Sequence, residues 1–518
     1  MKNAVNREIP DHLLGSDRQV YQGKYAKDGT YVQKASPRTR RHVKPEETKL
    51  CQSIREACER CGAHDGMTFS FHTEFRDGDY VASMVAKVLV EDMGLKDITV
   101  AATSLGQAQE VIADYIEAGK ITGIQTSGVR GRVGEVISAG KLAQPAIIRS
   151  HGGRPRAVEA GEVQIDIAFL AAASADKYGN ASGLGGKNNC GSMGFAIHDA
   201  YYADHTIIIT DCLVDFPNLP ASINAIDVDC VCLVDQIGDP SKISTKEARM
   251  TENPRELMMA ENVAKVMAAT PYFKDGFSFQ TGVGGPSLAV TQFLEKDLRA
   301  KNIKMSFCLG GTSSAICHLQ DQGLVDYILD TQDFDQGAIK HLASHPNHLE
   351  ISLSEYANPA NKGAYVNMLD FVVLSALEID TDFNVNVVTG SDGVLRGAPG
   401  GHPDTAAGSK CCIIVTPLTR GRMATVCDLV VTVTTPGDCI DVLVTDYGIA
   451  VNPARPDLAE SLTAAGIKHV PIQALRDKAY ELVGQPDDLE FDDQVVAVVE
   501  ARDGTILDVV KKVKPFSL

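Results

Sequence analysis

Two stretches of the 518-residue sequence carry residue types and spacings that can do chemistry. One is GFSFQTGVGGPSLAV, Gly276 to Val290, where a Phe/Ser alternation runs into Gly282, Gly284 and Gly285, then Pro286 and an apolar periodicity at Val290, Phe293, Leu294 and Leu298. That order reads as strand, glycine turn and helix. Such a turn brings backbone close to a ligand and aims N–H groups, at the positive end of the helix dipole, toward a phosphate, a carboxylate or a developing oxyanion. The other lies between Gln125 and Glu162, where a glycine-rich segment carries Arg130, Arg132, Arg149, Arg154 and Arg156. Guanidinium forks match carboxylates and phosphates. Taken singly each arginine reads as a surface ion pair; as a set they read as an anion site. His151, in the same segment, reads as a loop hydrogen-bonder.

The elements that must position these residues occur twice. GMTFSFHTEFRDGD (Gly66 to Asp79) parallels GFSFQTGVGGP (Gly276 to Pro286), so His72 takes the place of Gln280. Strand ITVAA (Ile98 to Ala102), a turn, a helix, Gly119 and strand ITGIQ are matched by KMSFCL, GGT, a helix, Gly323 and VDYIL. SADKYGNASG (Ser174 to Gly183) is matched by LEIDTDFNVNV (Leu377 to Val387), which puts Asn180 and Asn384 at equivalent turns, where capping of backbone is the simplest role. A repeat of roughly two hundred residues is too long for a solenoid and fits two related α/β domains. Apolar, β-branched runs separated by helices predict mostly parallel strands buried on both faces.

Composition sets the outer limits. With 44% hydrophobic and 22% charged residues the chain is an ordinary globular protein large enough for two cores. A formal net charge of -18 disfavours nucleic acid and anionic membranes as partners. The N-terminus lacks the apolar core of a signal peptide and no run approaches transmembrane length, so a cytoplasmic protein is expected. Cys58/Cys61 is the only CxxC among scattered cysteines, and the histidines do not read as a zinc spacing, so no metal is expected. Residues 1–45 read as a polar arm with a basic cluster at Ser36 to Pro45, solvated or draped over a neighbouring subunit. The domains are then 46–270 and 271–518, with a helix over Pro254 to Ala269 leading from one to the other.

SADKYGNASG, the GVGG turn, SEYANP (Ser354 to Pro359), APGGHPD and TDYGIAVNP resemble the coenzyme A transferase superfamily. Together with SHGGRPRAVEAGE they are similar to its citrate lyase alpha-subunit family, from about residue 46 to the end. The resemblance implies two open α/β domains of coenzyme A transferase type, with the active site in the cleft between them. It implies exchange of acetate for citrate on a thioester of an acyl carrier protein or coenzyme A. The carrier's phosphoribosyl-dephospho-coenzyme A arm is then a co-substrate, and no tightly bound cofactor is implied. The partners it implies are a beta (lyase) subunit and a gamma acyl carrier protein, and a homo-oligomer is expected.

On that resemblance the amides of Gly284 and Gly285 are oxyanion donors and the five arginines bind substrate carboxylates; His72, from its equivalence to Gln280, either reaches the cleft as a substrate ligand or is a hydrogen-bonded structural histidine. Gly282, Gly400, Gly401 and Asp404 line the thioester and pantetheine channel, with a helix N-cap as the other role for Asp404. Tyr447 and Asn452 are suggested by the resemblance alone. Glu355 stands where related transferases place a nucleophilic glutamate in Ser-Glu-Asn-Gly. Here Tyr-Ala-Asn follows it, which favours an orienting or relic role over nucleophilic attack. Two rival readings are another acid transferase of the superfamily, acting for example on citramalate, and a non-catalytic sugar-phosphate module. The duplicated architecture with both GVGG and SEYANP argues against the second.

Overall fold

The runs ITVAA, IAFLA and HTIIIT are apolar on both alternations, and each forms an inner strand with helices on both faces. The computed structural model describes residues 1–15, 18–26, 34–35, 44, 47–72, 74–243, 251–282 and 285–514. Its first large sheet runs Leu50–Cys51, Cys230–Leu233, His205–Thr210, Ile167–Ala171, Thr68–Phe71, Ile98–Ala102, Ile121–Thr126, Ala146–Ile148, Phe491–Glu500 and Ile506–Val513. All neighbours are parallel except the last pair. The second runs His348–Glu350, Val325–Asp333, Met305–Thr312, Ser278–Thr281, Phe371–Leu374, Cys411–Val415, Val442–Val444 and Ile449–Val451, again parallel except at the last pair.

The duplication read from the sequence is present in the order of the central strands. In both sheets the strand before the turn, Thr68–Phe71 or Ser278–Thr281, sits between the next strand in sequence and one about ninety residues on. An edge-to-face aromatic pair repeats there too: Phe69 with Phe169 at 6.0 Å, and Phe277 with Phe371 at 5.5 Å. Each pair adds about 1 kcal/mol beyond the area it buries. The small sheets repeat as well. Asp176 accepts from the amides of Tyr178, Gly179 and Asn180 while Asn180 Nδ2 donates to its other oxygen at 2.7 Å. Asp380 is bonded in the same manner to Asp382 and Asn384.

Two boundary expectations are corrected. The strands Phe491–Glu500 and Ile506–Val513, placed on sequence in the 271–518 domain, extend the first sheet: Ala497, Val498 and Val499 pair with Ala146, Ile147 and Ile148. The physical reason is an edge. Ala146–Ile148 would otherwise present unpaired backbone groups, and a valine-rich hairpin satisfies them. The described part of the N-terminal arm is also not a solvated segment. Ile9 and Val20 are buried with Val498 and Ile506, and Asn3 Nδ2 donates to Leu507 O at 2.6 Å. Ser36 to Arg40, and with them most of the basic cluster, lie outside the described residues. The helix Pro254–Ala269 has the bounds expected, capped by the Asn253 side chain on the Arg255 amide.

A chain ended at residue 490 leaves Ala146–Ile148 as an edge and uncovers Ile9 and Val20. It is expected to elute as aggregate in size-exclusion chromatography, where the full chain gives a folded peak.

Candidate active site

The carboxyl ends of strands in both large sheets, where open α/β sheets bind ligands, are turned toward each other. The loop after Ala146–Ile148 crosses to the second domain: Ser150 Oγ and the Gly152 amide both donate to Asp404 at 2.8 Å, and the His151 amide donates to Gly400 O at 2.8 Å. Asp404 is the third residue of the helix His402–Gly408, so its carboxylate serves the other domain and is not that helix's N-cap. Burial raises it to about 6, against Arg502 and its two donors. Gly400 has φ +52°, the left-handed region, and a Cβ on Gly401 would stand 2.3 Å from the Tyr356 hydroxyl. That hydroxyl accepts from Gln280 Nε2 at 2.9 Å.

His72, at the end of Thr68–Phe71, is fully buried, with Nε2 2.9 Å from Asp199 Oδ2. Asp199 also takes both arms of the Arg154 fork, at 2.6 and 2.7 Å. Burial pushes the Asp199 carboxyl up, but Arg154 and then His72 hold it well below the usual range. His151 lies edge-on to Phe195 at 4.9 Å, and His72 stacks near the same ring. Burial, then Arg154, drives His151 down to about 3, so it is a neutral imidazole at the domain junction.

The five arginines do not share one anion pocket. Arg149 is clamped by Glu500, Arg154 by Asp199, and Arg156 by Glu162 at 2.6 and 2.8 Å. Arg132 pairs on the surface with Asp114 and Glu117. Arg130 is exposed at the start of the helix Gly131–Ser138 and has no ion pair among the described residues, next to Val129, whose amide bonds Gly397 O of the second domain.

Glu355 closes a capping box. Its Oε2 accepts from the Ser352 amide and hydroxyl, both at 2.8 Å, while its own amide donates back to Ser352 Oγ. Gly282 donates its amide to Val373 O at 2.9 Å, and Gly285 opens the helix Gly285–Lys301, where a Cβ would meet Glu256 Oε2 at 2.8 Å. Gly284 lies outside the described residues. Tyr447 lines a hollow of about 730 Å³ with Pro254, Arg255, Met258, Thr419, Asp446, Leu482 and Val483. Asn452 Nδ2 donates to Gly437 O and Ile440 O, a structural bond.

A family profile described as citrate lyase, alpha subunit, matches residues 47–513. The citrate lyase alpha chain of Escherichia coli K12 is 52% identical over 482 residues, 93% of this chain and 94% of its own length. The chain belongs to the citrate lyase alpha-subunit family. Another relative, from Klebsiella pneumoniae, is 48% identical over 99% of both chains. A crystal structure from Streptococcus mutans, described as the alpha subunit of citrate lyase in complex with citrate, superposes with a TM-score of 0.95 at 47% identity, covering 99% of this chain and 100% of that one. A Pseudomonas malonate decarboxylase hetero-tetramer, at 18% identity and TM-score 0.63 over 84% of this chain and 86% of its own, shares the fold.

For a citrate lyase alpha-subunit family member the domain junction thus rests on residues that sequence reasoning passed over. Asp199, Phe195 and Arg502 lie outside every motif quoted above, while Tyr356 lies within SEYANP and Gln280 within GFSFQTGVGGP, and neither motif announces this contact. Among the described residues no helix is long and apolar enough to cross a membrane. His402 is held within the second domain: Nε2 donates to Ser375 O at 3.0 Å, so Nδ1 accepts from the Thr435 hydroxyl at 2.7 Å. Burial lowers its pKa to about 4. A base depressed on folding contributes stability that is present above the unfolded pKa of about 6.5 and lost as pH falls through the folded value. Between pH 6.5 and 5 this amounts to about 2 kcal/mol. A His402→Gln variant is expected to show a smaller drop in Tm between pH 7.5 and 5 than the parent chain, in matched thermal melts.

Proposed function

We propose that this chain exchanges acetate for citrate on a carrier thioester, as the transferase subunit of a citrate lyase. The observation that carries the reading is its 47% identity, over 99% of its length, to a chain described as in complex with citrate. A citrate carboxylate oxygen attacks the acetyl thioester carbonyl, forming an acetyl-citryl anhydride and expelling the carrier thiolate. The thiolate then attacks the citryl carbonyl, and acetate leaves. Both attacks build a tetrahedral oxyanion, for which one preorganised donor is worth about 3 kcal/mol. The N-terminus of the helix Gly285–Lys301, with the amides of Gly284 and Gly285, is the donor set we assign.

Arg130 is the arginine we assign to a citrate carboxylate, since its fork is not consumed by an internal acid. The hollow beside Tyr447 and Met258 adjoins the helix whose Glu256 meets Gly285, and we assign it to the carrier's pantetheine arm. That moves the arm away from Gly400, Gly401 and Asp404, which the domain contact already uses. With Glu355 engaged in its own helix cap, transfer runs directly between bound substrates, driven by effective molarities on the order of 10⁵ M or more. The partners are a lyase subunit and an acyl carrier protein, in a cytoplasmic assembly that holds more than one copy of this chain.

Mass spectrometry of the chain mixed with acetyl-coenzyme A and isotopically labelled citrate is expected to show citryl-coenzyme A and free acetate. Absence of both, repeated with acetylated carrier protein and folded enzyme, would refute the assignment. Glu355→Gln, which keeps the cap, is expected to retain transfer within about tenfold, because proximity and not a covalent step drives it. A glutamyl thioester trapped on the parent chain would overturn that. Arg130→Gln is expected to raise KM for citrate by about tenfold or more with kcat little changed, as loss of one charge-assisted contact predicts. Arg132→Gln serves as the unaffected control.

A further inference from the structure

Away from the residues assigned to transfer, the carboxyl end of the strand Val325–Asp333 carries a second group of ligand-type side chains. Asp330, Asp333 and His348 are all buried, and one ligand atom from each lies within 4.8 Å of the other two. Among the described residues, Asp330 Oδ2, Asp333 Oδ1 and His348 Nε2 have no hydrogen-bond partner. Buried polar groups are rarely left so, and three in one place call for a cause.

The tautomers supply one. In one of the two tautomer pairs open to these rings, His341 keeps its proton on Nε2, which faces the Asp321 carboxylate at 3.4 Å, and its Nδ1 is a lone pair. His341 Nδ1 and His348 Nδ1 are 3.0 Å apart, so in that pair His348 carries its proton on Nδ1 and donates it. His348 Nε2 is therefore a bare lone pair, 3.4 Å from the Asp330 carboxylate. One imidazole nitrogen and two carboxyl groups converge at this point. A metal-ligating histidine characteristically gives its other N–H to a fixed acceptor, which is what His341 is here.

We propose that Asp330, Asp333 and His348 bind a divalent cation of the zinc or manganese class. Ligands at about 2.1 Å from a tetrahedral ion stand about 3.4 Å apart, which matches the His348 to Asp330 separation. Nitrogen with two carboxylates suits such an ion. The site lies on the domain boundary. The other oxygen of Asp333 accepts the Ser192 amide of the first domain at 3.0 Å, and Ser192 Oγ donates to Asp330 O at 3.1 Å. Gly191, at φ +79°, leaves room for Asp333, since a Cβ there would stand 1.9 Å from it. An ion at this point ties the loop before the helix Gly194–Tyr202 to the second sheet. Cys317 forms a rival group with His341 and His348, and its replacement separates the two sites. The histidine spacing His341-x3-His345-x2-His348 is the sequence signal that the expectation of no metal passed over.

The test uses the full chain without a polyhistidine tag, dialysed against Zn²⁺ and desalted, with zinc counted by plasma mass spectrometry. About one zinc per chain is expected, by the three-ligand count of such a site. It should be lost in Asp333→Asn and His348→Asn and kept in Cys317→Ser. EDTA should lower the Tm of the parent chain and leave that of Asp333→Asn unmoved. No retained zinc or manganese on the folded parent chain would overturn the proposal, as would loss in Cys317→Ser with retention in Asp333→Asn. Should the aspartate variants not fold, the Co²⁺-loaded parent chain decides: d–d bands without thiolate-to-cobalt charge transfer support the proposal, and strong charge transfer refutes it.

Discussion

A buried carboxylate at the centre of the seam fixes how the two halves of the molecule meet. Asp404 is wholly withdrawn from solvent and spends both oxygens on the loop Ser150 to Gly152 of the other domain. A carboxylate in that setting is tolerable only while its donors are in place, because an unpaired buried charge costs several kcal/mol. The bond therefore acts as an all-or-none constraint on domain placement. Around it the packing admits little slack: Gly152 has no room for a Cβ against Ala357 O, and Gly401 none against Tyr356. Phe195, His151 and His72 fill the first-domain side of the junction with flat rings.

Duplication explains how so elaborate a junction arises from ordinary parts. Each half supplies a parallel sheet whose carboxyl end projects a short helix, Gly153–Glu159 from one and Leu353–Ala357 from the other. The two helices meet, and Ser354 Oγ donates to Glu159 at 2.5 Å across the seam. Equivalent positions have diverged in chemistry while keeping their place. His72 answers to Asp199 in one half, and Gln280 answers to Tyr356 in the other. The repeated Asp–Asn turns at Asp176 and Asp380 have not diverged, because their work is local and backbone-directed.

What the sequence made legible was whatever depends on near neighbours. The central strands announced themselves by apolar runs, and the helix Pro254–Ala269 by Asn253 and Pro254 at its start. The arginines were read as a set because nothing local reveals a partner: Arg149 finds Glu500 across 351 positions, and Arg154 finds Asp199 across 45. The hairpin Phe491–Val513 was assigned to the wrong half for the same reason, since a valine-rich strand does not say which edge it will pair with. Glu355 is a different case. The Ser352-x-x-Glu355 spacing of a capping box stands in the sequence beside the Tyr-Ala-Asn that follows it.

The placement of that hairpin has a consequence for how the chain comes into being. Because residues 491–513 complete the sheet that residues 50–233 begin, the second domain is an insertion within the first. During synthesis the strand Ala146–Ile148, paired on one side with Ile121–Thr126, must wait with its other edge open while some 340 further residues emerge, and only then does its second neighbour arrive. Exposed strand edges of this kind are where nascent chains pair with the wrong partner. The N-terminal residues around Ile9 and Val20 wait for the same strands. Maturation of the first-made domain is thus postponed to the last moment of translation, and a ribosome that stops early releases a chain whose first sheet is still unfinished.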